Sequence, residues 1–357
     1  MSVLPECPGR EEYSRVIQSA ADACQDAAFL RGASVLITGA TGMLGGALAR
    51  TLCLLNRERK LELKLILPVR DLERAKNALR GISKDAAAVL EMDLTKEIDL
   101  SGDVDYIVHA AAPTSSREFV DKPASTLEGM ALAGLNLMRL ARKKQVKRYV
   151  YLSSMEVYGV QQGVVSEREL GFLDLEKPRS CYPAAKRFLE HACLCCAAEY
   201  GLEACSLRLA QTFGAGVRPG DGRAYMQFAL SALRGEDIVL KTSGASLGNY
   251  LHLADAVSAI LCLMQKGAAG ASYNACGDDC AVTIKQLAQR ISALLSGGQS
   301  QVVCQNLGAD SLPYAQDTSF VMDNGHLKSL GWKPRYGLKD MICSLGRDLK
   351  QMGIADK

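Results

Sequence analysis

The chain has 357 residues, enough for two closely packed domains. Hydrophobic residues make up 48% and charged residues 23%, the balance of a globular protein rather than a disordered or fibrous one. A formal net charge of +3 gives no electrostatic case for nucleic acid or a membrane surface as partner.

Residues 11–30, "EEYSRVIQSAADACQDAAFL", have apolar positions near helical spacing and read as a lead-in helix that packs on the main body. "ASVLITG" is a short β-branched strand, followed by the helical "GGALARTLCLLN". "LELKLILPV" is a second strand, and "DLERAKNALRG" a helix closed by Gly81. "AAVLEMDL" and "VDYIVHAAA" are two more strands. "PASTLEGMALAGLNLMRLARKKQ" is a long helix with the basic end that the helix dipole favours. "VKRYVYLSS", "AAKRFLEHACLCCAAEYG" and "LEACSLRLA" continue the alternation, the helix stopping at Gly201.

Strand and helix alternate over about the first 210 residues, which argues for an α/β fold with a Rossmann-like, doubly wound parallel sheet. Beyond that point glycines cluster and the rhythm breaks, as in a smaller mixed domain. The expected division is a lead-in helix in 1–32, a dinucleotide-binding domain over 33–210 with a return segment near 248–266, and a mainly substrate-binding domain over 211–357. No apolar run spans a bilayer. The first residues lack the basic and then apolar pattern of a secretory signal. Thirteen scattered cysteines, "CLCC" at 193–196 included, lack zinc-ligand spacing. A cytoplasmic chain with reduced thiols and no metal is expected.

"TGATGMLGG" lies between the first strand and the first helix of the alternating fold. Gly39, Gly42 and Gly45 have the spacing that lets backbone approach a pyrophosphate seated on a helix N-terminus, and Thr41 lies in the same loop. At the end of the second strand, "LPVRD" puts Val69 in the slot where an acidic residue would bind the adenosine ribose. Arg70 follows and suits a 2′-phosphate, which favours NADP slightly over NAD, while Asp71 keeps NAD open.

In "RSCYPAAKR" Tyr182 and Lys186 are four apart on one helix face, with Pro183 suited to the first turn. A nearby ammonium and a helix N-terminus favour phenolate, so Tyr182 is expected to act as a base near neutral pH.

"TGATGMLG", "MDL" at 92–94, "HAAAPTS" at 109–115, "YLSSMEVYG", "CYPAAK" and the tail "LKSLGWKPRYGLKDMI" together resemble the extended short-chain dehydrogenases/reductases of the NAD-dependent epimerase/dehydratase family, which act on nucleotide sugars. The resemblance covers about residues 33–342 and keeps the family's order and spacing. It implies that Gly39, Gly42, Met43 and Leu44 wrap the pyrophosphate, that Asp93 and Leu94 border the adenine, and that Ala111 and Ala112 line the cofactor. Ser154, Tyr182 and Lys186 are implied as catalytic, and Thr114 and Ser115 as lying towards substrate. A homodimer through the helices at about 123–143 and 182–199 is also implied.

Within the family, "EVYG" after the catalytic hydroxyl and "KPRSCYPAAKR" look like the UDP-glucuronate decarboxylases and the 4,6-dehydratases. Oxidation at C4 acidifies the C5 proton, and Glu156 stands where the family keeps a base for it. Some dehydratases place an Asp directly before that Glu; here the residue is Met155, which has no proton to donate. A β-keto carboxylate loses carbon dioxide without that acid. Transient C4 oxidation followed by decarboxylation or dehydration is therefore expected, with a 4-epimerase or an NADP-dependent reductase of a non-nucleotide substrate as alternatives.

The chain also departs from the family. Gly248 replaces an Arg that grips the substrate diphosphate, Gln211 replaces an Asn, Met130 replaces a helix Asn, and "GAG" at 214–216 replaces a "GPR". A glycine cannot replace a bidentate phosphate contact, so either another base such as Arg218 or Arg223 takes that role, or the substrate is not a standard nucleoside diphosphate sugar.

Overall fold

The computed structural model describes residue 7 and residues 9–83, 85–218, 220–305 and 319–354. Helix α1 (Glu11–Ala23) comes first. Then β1 (Ser34–Thr38), α2 (Met43–Arg59), β2 (Lys64–Val69), α3 (Leu72–Ala78), β3 (Ala87–Glu91) and β4 (Tyr106–His109) follow in strict alternation up to the last strand pair. Next are α4 (Ser116–Asp121), α5 (Pro123–Lys143), β5 (Arg148–Ser154), β6 (Gln162–Val165), α6 (Cys181–Tyr200), β7 (Ala204–Leu209) and β8 (Gln211–Phe213). The remainder is α7 (Ala224–Leu233), β9 (Ile238–Leu240), β10 (Leu247–His252), α8 (Leu253–Lys266), β11 (Ser272–Ala275), β12 (Ala281–Thr283), α9 (Ile284–Leu295), β13 (Val302–Cys304), β14 (Ser319–Met322), α10 (Gly325–Ser329) and α11 (Leu338–Gln351).

The large sheet has seven strands in the order β11-β7-β5-β4-β1-β2-β3, every pair parallel. Its strands are apolar on both faces, as helices on both sides require. One face packs on α2 and α8, with α1 laid against these two helices, in a core that includes Ile17, Leu48, Leu52 and Ile260. The other packs on α5 and α6 through Leu137, Leu140, Leu189 and Cys193. Gly134 lets α5 and α6 approach closely; a Cβ there would lie 2.3 Å from Leu189 Cδ2. The seventh strand, β11, comes from beyond the point where the sequence rhythm breaks, because the chain returns through β10 and α8 to the sheet edge.

A second core is built from β8, β10, α7, α9 and α11, around Phe213, Tyr225, Tyr250, Leu287 and Met341. The C-terminal tail is tied back to α8 by Asp255: Arg335 N and Tyr336 N donate to its Oδ2 at 3.0 and 3.1 Å, and Trp332 Nε1 donates to its carbonyl at 3.3 Å. No helix among the described residues is long and apolar enough to cross a membrane.

Candidate active site

In a parallel sheet ligands bind beyond the carboxyl ends of the strands, where the strand order reverses. Here the reversal lies between β1 and β4. The loops after these two strands touch. Gly39 has φ +68°, and a Cβ on it would stand 2.8 Å from the Ala110 carbonyl and 2.9 Å from Ala111 N. A Cβ on Gly45 would lie 2.4 Å from the Gly39 carbonyl. Thr38 Oγ1 accepts from Ala110 N and Ala111 N at 3.1 and 3.0 Å, fixing the second loop. Helix α2 starts after Gly42, which offers no capping side chain. Thr41, Gly42, Met43 and Leu44 are half-exposed around this N-terminus, and so are Ala111 and Ala112 opposite. Uncapped amides, the positive helix end and glycine-walled space fit a dinucleotide pyrophosphate.

Further along the same sheet edge, Arg70, Glu91, Met92, Asp93 and Thr95 line a shallow depression. Asp93 Oδ1 accepts from Thr95 N and Oγ1 at 3.0 and 2.7 Å, and these bonds hold its carboxyl below the usual range. Leu94 packs under α5, whose Asn136 donates to the Leu94 and Lys96 carbonyls. Asp71 caps α3, accepting from Arg74 N at 3.0 Å, so its carboxylate already has a local task.

The catalytic candidates converge at the end of β5. Ser154 is its last residue, and its Oγ accepts from Glu156 N at 3.2 Å. Cys181, Tyr182 and Pro183 form the first turn of α6, with Lys186 one turn on. Tyr182 is only 8% exposed, and burial pushes its phenol well above the ordinary tyrosine range. Glu156 pushes it the same way; the Ser154 hydrogen bond, Arg179 and Arg223 oppose. Lys186 is 4% exposed, donates to the Leu152 carbonyl at 2.6 Å, and is pushed by burial down to about 7. Burial therefore works against the expected phenolate, while the Ser154 hydrogen bond and the two arginines favour it. His109, behind Lys186, is pushed by burial down to about 3 and shares a 2.8 Å hydrogen bond between its Nδ1 and the Tyr149 hydroxyl, a structural role.

Two neighbours were not singled out from the sequence. Arg179, three residues before Tyr182, bonds Glu156 Oε2 through Nη1. Its Nε is buried with no hydrogen-bond partner among the described residues. Phe119 on α4 stacks on the Tyr182 ring at 4.4 Å, and the Arg179 guanidinium lies 5.4 Å from the centroid of the Phe119 ring. Arg179 was visible within "KPRSCYPAAKR" as a cation on the approach to the helix; Phe119 had no sequence signal. Met130 joins Phe119, Cys181 and Tyr182 in a small apolar cluster. Met155 is buried in the main core.

On the substrate side Thr114 and Ser115 are exposed just before α4. Gln211 is half-buried two residues beyond Leu209, the β7 partner of Ser154. Arg223 acts on Tyr182 but is itself paired with Asp221, its Nε at 2.9 and 3.1 Å from the two carboxylate oxygens. Arg218 is exposed, its carbonyl accepting from Asp221 N at 3.2 Å. Gly248 has a packing reason: a Cβ there would lie 2.5 Å from the Tyr250 hydroxyl.

A family profile described as "NAD dependent epimerase/dehydratase family" matches residues 35–276. The chain belongs to this family. It is 28% identical over 324 residues to UDP-glucuronic acid decarboxylase 1 of Danio rerio, covering 88% of this chain and 73% of that one. It is 24% identical to UDP-glucuronic acid decarboxylase 6 of Arabidopsis thaliana, over 90% of this chain and 91% of the relative. Its fold is similar to that of UDP-glucuronic acid 4-epimerase from Bacillus cereus, solved with UDP-glucuronic acid and NAD, with TM-score 0.74, 18% identity and coverage of 89% and 99%. UDP-glucose 4-epimerase of Thermotoga maritima, solved with UDP-glucose, gives TM-score 0.73 at 21% identity, again covering 89% and 99%.

The Lys186 environment has a thermodynamic consequence. Between a folded value of about 7 and the ordinary 10.5 the unfolded chain holds a proton that the folded chain has released. Raising pH across that window therefore favours the folded state. In urea denaturation, the stability of the native protein relative to Lys186→Met should rise by about 1 kcal/mol per pH unit between about pH 7 and 9. A pH-independent difference would show that the lysine keeps its proton.

Proposed function

We propose that the protein converts a nucleotide sugar bearing a C6 carboxylate by transient oxidation at C4 and decarboxylation. The observation that carries this reading is Arg179. Beside Tyr182 it is bonded to Glu156 through one nitrogen while its buried Nε lacks a partner. A guanidinium with a donor to spare suits a carboxylate, and curated relatives named UDP-glucuronic acid decarboxylases support the choice.

The loop after β1, the N-terminus of α2 and Ala111–112 would hold the dinucleotide. When bound there, it would supply reversible hydride transfer at C4, so the net reaction would be redox-neutral. Tyr182, bonded to Ser154, accepts the proton of the 4-hydroxyl in its deprotonated form, and Lys186 with its carbonyl partner fixes the tyrosine's side of the helix. The 4-ketone lets the C5–C6 bond break; carbon dioxide leaves, the electron pair passes into the enolate, and C5 takes a proton. Glu156 is not required as a C5 base on this route. Its Oε2 is already committed to Arg179, which disfavours dehydration. Epimerisation is the second reading, supported by the fold neighbours.

For the cofactor we propose NAD. Arg70 gains no support as a phosphate ligand, because Glu91 and Asp93 share its depression and two carboxylates repel a 2′-phosphate. A homodimer through α5 and α6 is also proposed. Leu127, Leu132, Phe188, Leu194 and Tyr200 are exposed on these helices, and Phe188 and Tyr200 line a groove of about 360 Å³.

Mass spectrometry of products from UDP-glucuronate should show loss of carbon dioxide; an unchanged mass with a changed C4 configuration would favour epimerisation instead. Tyr182→Phe should lower turnover by about a thousandfold with NADH affinity within about twofold of the native protein, and fluorescence titration should show NADH bound more tightly than NADPH. For the dimer, Phe188→Asp should shift light-scattering mass from two chains to one. A native protein that is already monomeric would remove that proposal.

A further inference from the structure

Helix α1 had no task in the sequence reading, yet it is bonded into the substrate side of the molecule. Arg10, at its start, donates through Nε to Asp348 Oδ1 at 2.9 Å and through Nη2 to Oδ2. Asp348 lies on α11 and is fully buried. Its Oδ2 also accepts from Gly216 N at 2.8 Å, and Ser344, one turn earlier, accepts from Ala215 N at 3.2 Å. Tyr13 of α1 closes the arrangement. Gly216 has φ +103°, and a Cβ there would lie 2.5 Å from Tyr13 Cε2, so the ring fills the space a side chain would need. The Arg10 guanidinium lies 4.9 Å over the same ring. Arg347 to Glu12 at 2.7 Å and Glu12 N to Gln351 at 3.0 Å add two more ties between α1 and α11.

Residues 214–217 join β8, which carries Gln211, to the segment of Arg218, Asp221 and Arg223, and Arg223 acts on Tyr182. On its other side α1 packs on α2, the helix whose N-terminus faces the cofactor space; Arg50 of α2 lies 5.8 Å over the Tyr13 ring.

We propose that α1 is a positioning element for substrate: Tyr13 and the Arg10–Asp348 pair fix residues 214–217, and through them set Arg218 and Arg223 for the phosphates of a nucleotide. The glycine at 216 and the extra helix are then one device. The glycine removes a side chain, and Tyr13 replaces it with a wall from another element. None of these three residues touches the reacting atoms.

The test uses the full chain with Arg10→Ala, Tyr13→Ala and the conservative Tyr13→Phe. Hydrogen exchange reads the loop directly: in the two alanine variants amides at 215–217 should exchange about tenfold faster or more, with the β5 amides unchanged. Titration with UDP should show dissociation constants raised about fivefold, with NADH within about twofold, and Tyr13→Phe should match the native protein in both. Should an alanine variant not fold, Tyr13→Leu keeps apolar bulk and is read the same way. Loop exchange at the native rate, or equal losses of UDP and NADH affinity, would overturn the proposal. The UDP arm rests on the nucleotide-sugar reading above. If the native protein binds no UDP, that reading fails, and loop exchange alone decides this one.

Discussion

The fold turns on a contact between two loops. Where the strand order reverses, the turn after β1 must pass so close to the turn after β4 that a single Cβ at Gly39 would strike the Ala110 carbonyl. Only glycine satisfies both that approach and the positive φ. The same turn aims the N-terminus of α2 along the carboxyl edge of the sheet, and each later strand adds its end to that edge. Gly39, Arg70, Asp93, Ala111, Ser154 and Gln211 come from six different strand ends, and the parallel register brings them to one side.

Charge on this edge is held in pairs. Glu156 is matched by Arg179, Arg223 by Asp221, and Asp93 by the Thr95 donors. Burying a lone charge is costly, which favours such pairing for the partly buried Glu156 and Arg223. Lys186 is the contrast. It is deeply buried with a carbonyl as its hydrogen-bond partner, and burial brings its pKa towards neutrality. Pairing also shapes the chemistry, because a carboxylate engaged by a guanidinium is a poor candidate for a free base, whereas an arginine with an unused nitrogen is ready to receive another anion.

The two cores of the molecule are held together by elements from the chain ends. Asp255 gathers the amides of Arg335 and Tyr336, and Asp348 gathers Arg10 and Gly216. Each buried carboxylate accepts from at least one backbone amide of a segment far away in sequence, which ties distant parts of the chain together.

The sequence by itself determined the alternation of elements, the glycine turn, and the placing of Tyr182 and Lys186 on one helix face, because strand and helix periodicity and short-range spacing are local properties; that Ser154 joins them was implied by the family resemblance. It also exposed the departures at Gly216 and Gly248, but not their reasons. Tertiary structure alone decided those: Tyr13 occupies the space beside one and the Tyr250 ring the space beside the other. It alone decided that Arg179 holds Glu156, that Phe119 stacks on Tyr182, and that α1, packed in the main core, is also bonded to α11. It also set the burial that works against charge on Tyr182 and Lys186, since the cost of removing a phenolate and an ammonium from water depends on depth, and depth is a property of the assembled fold.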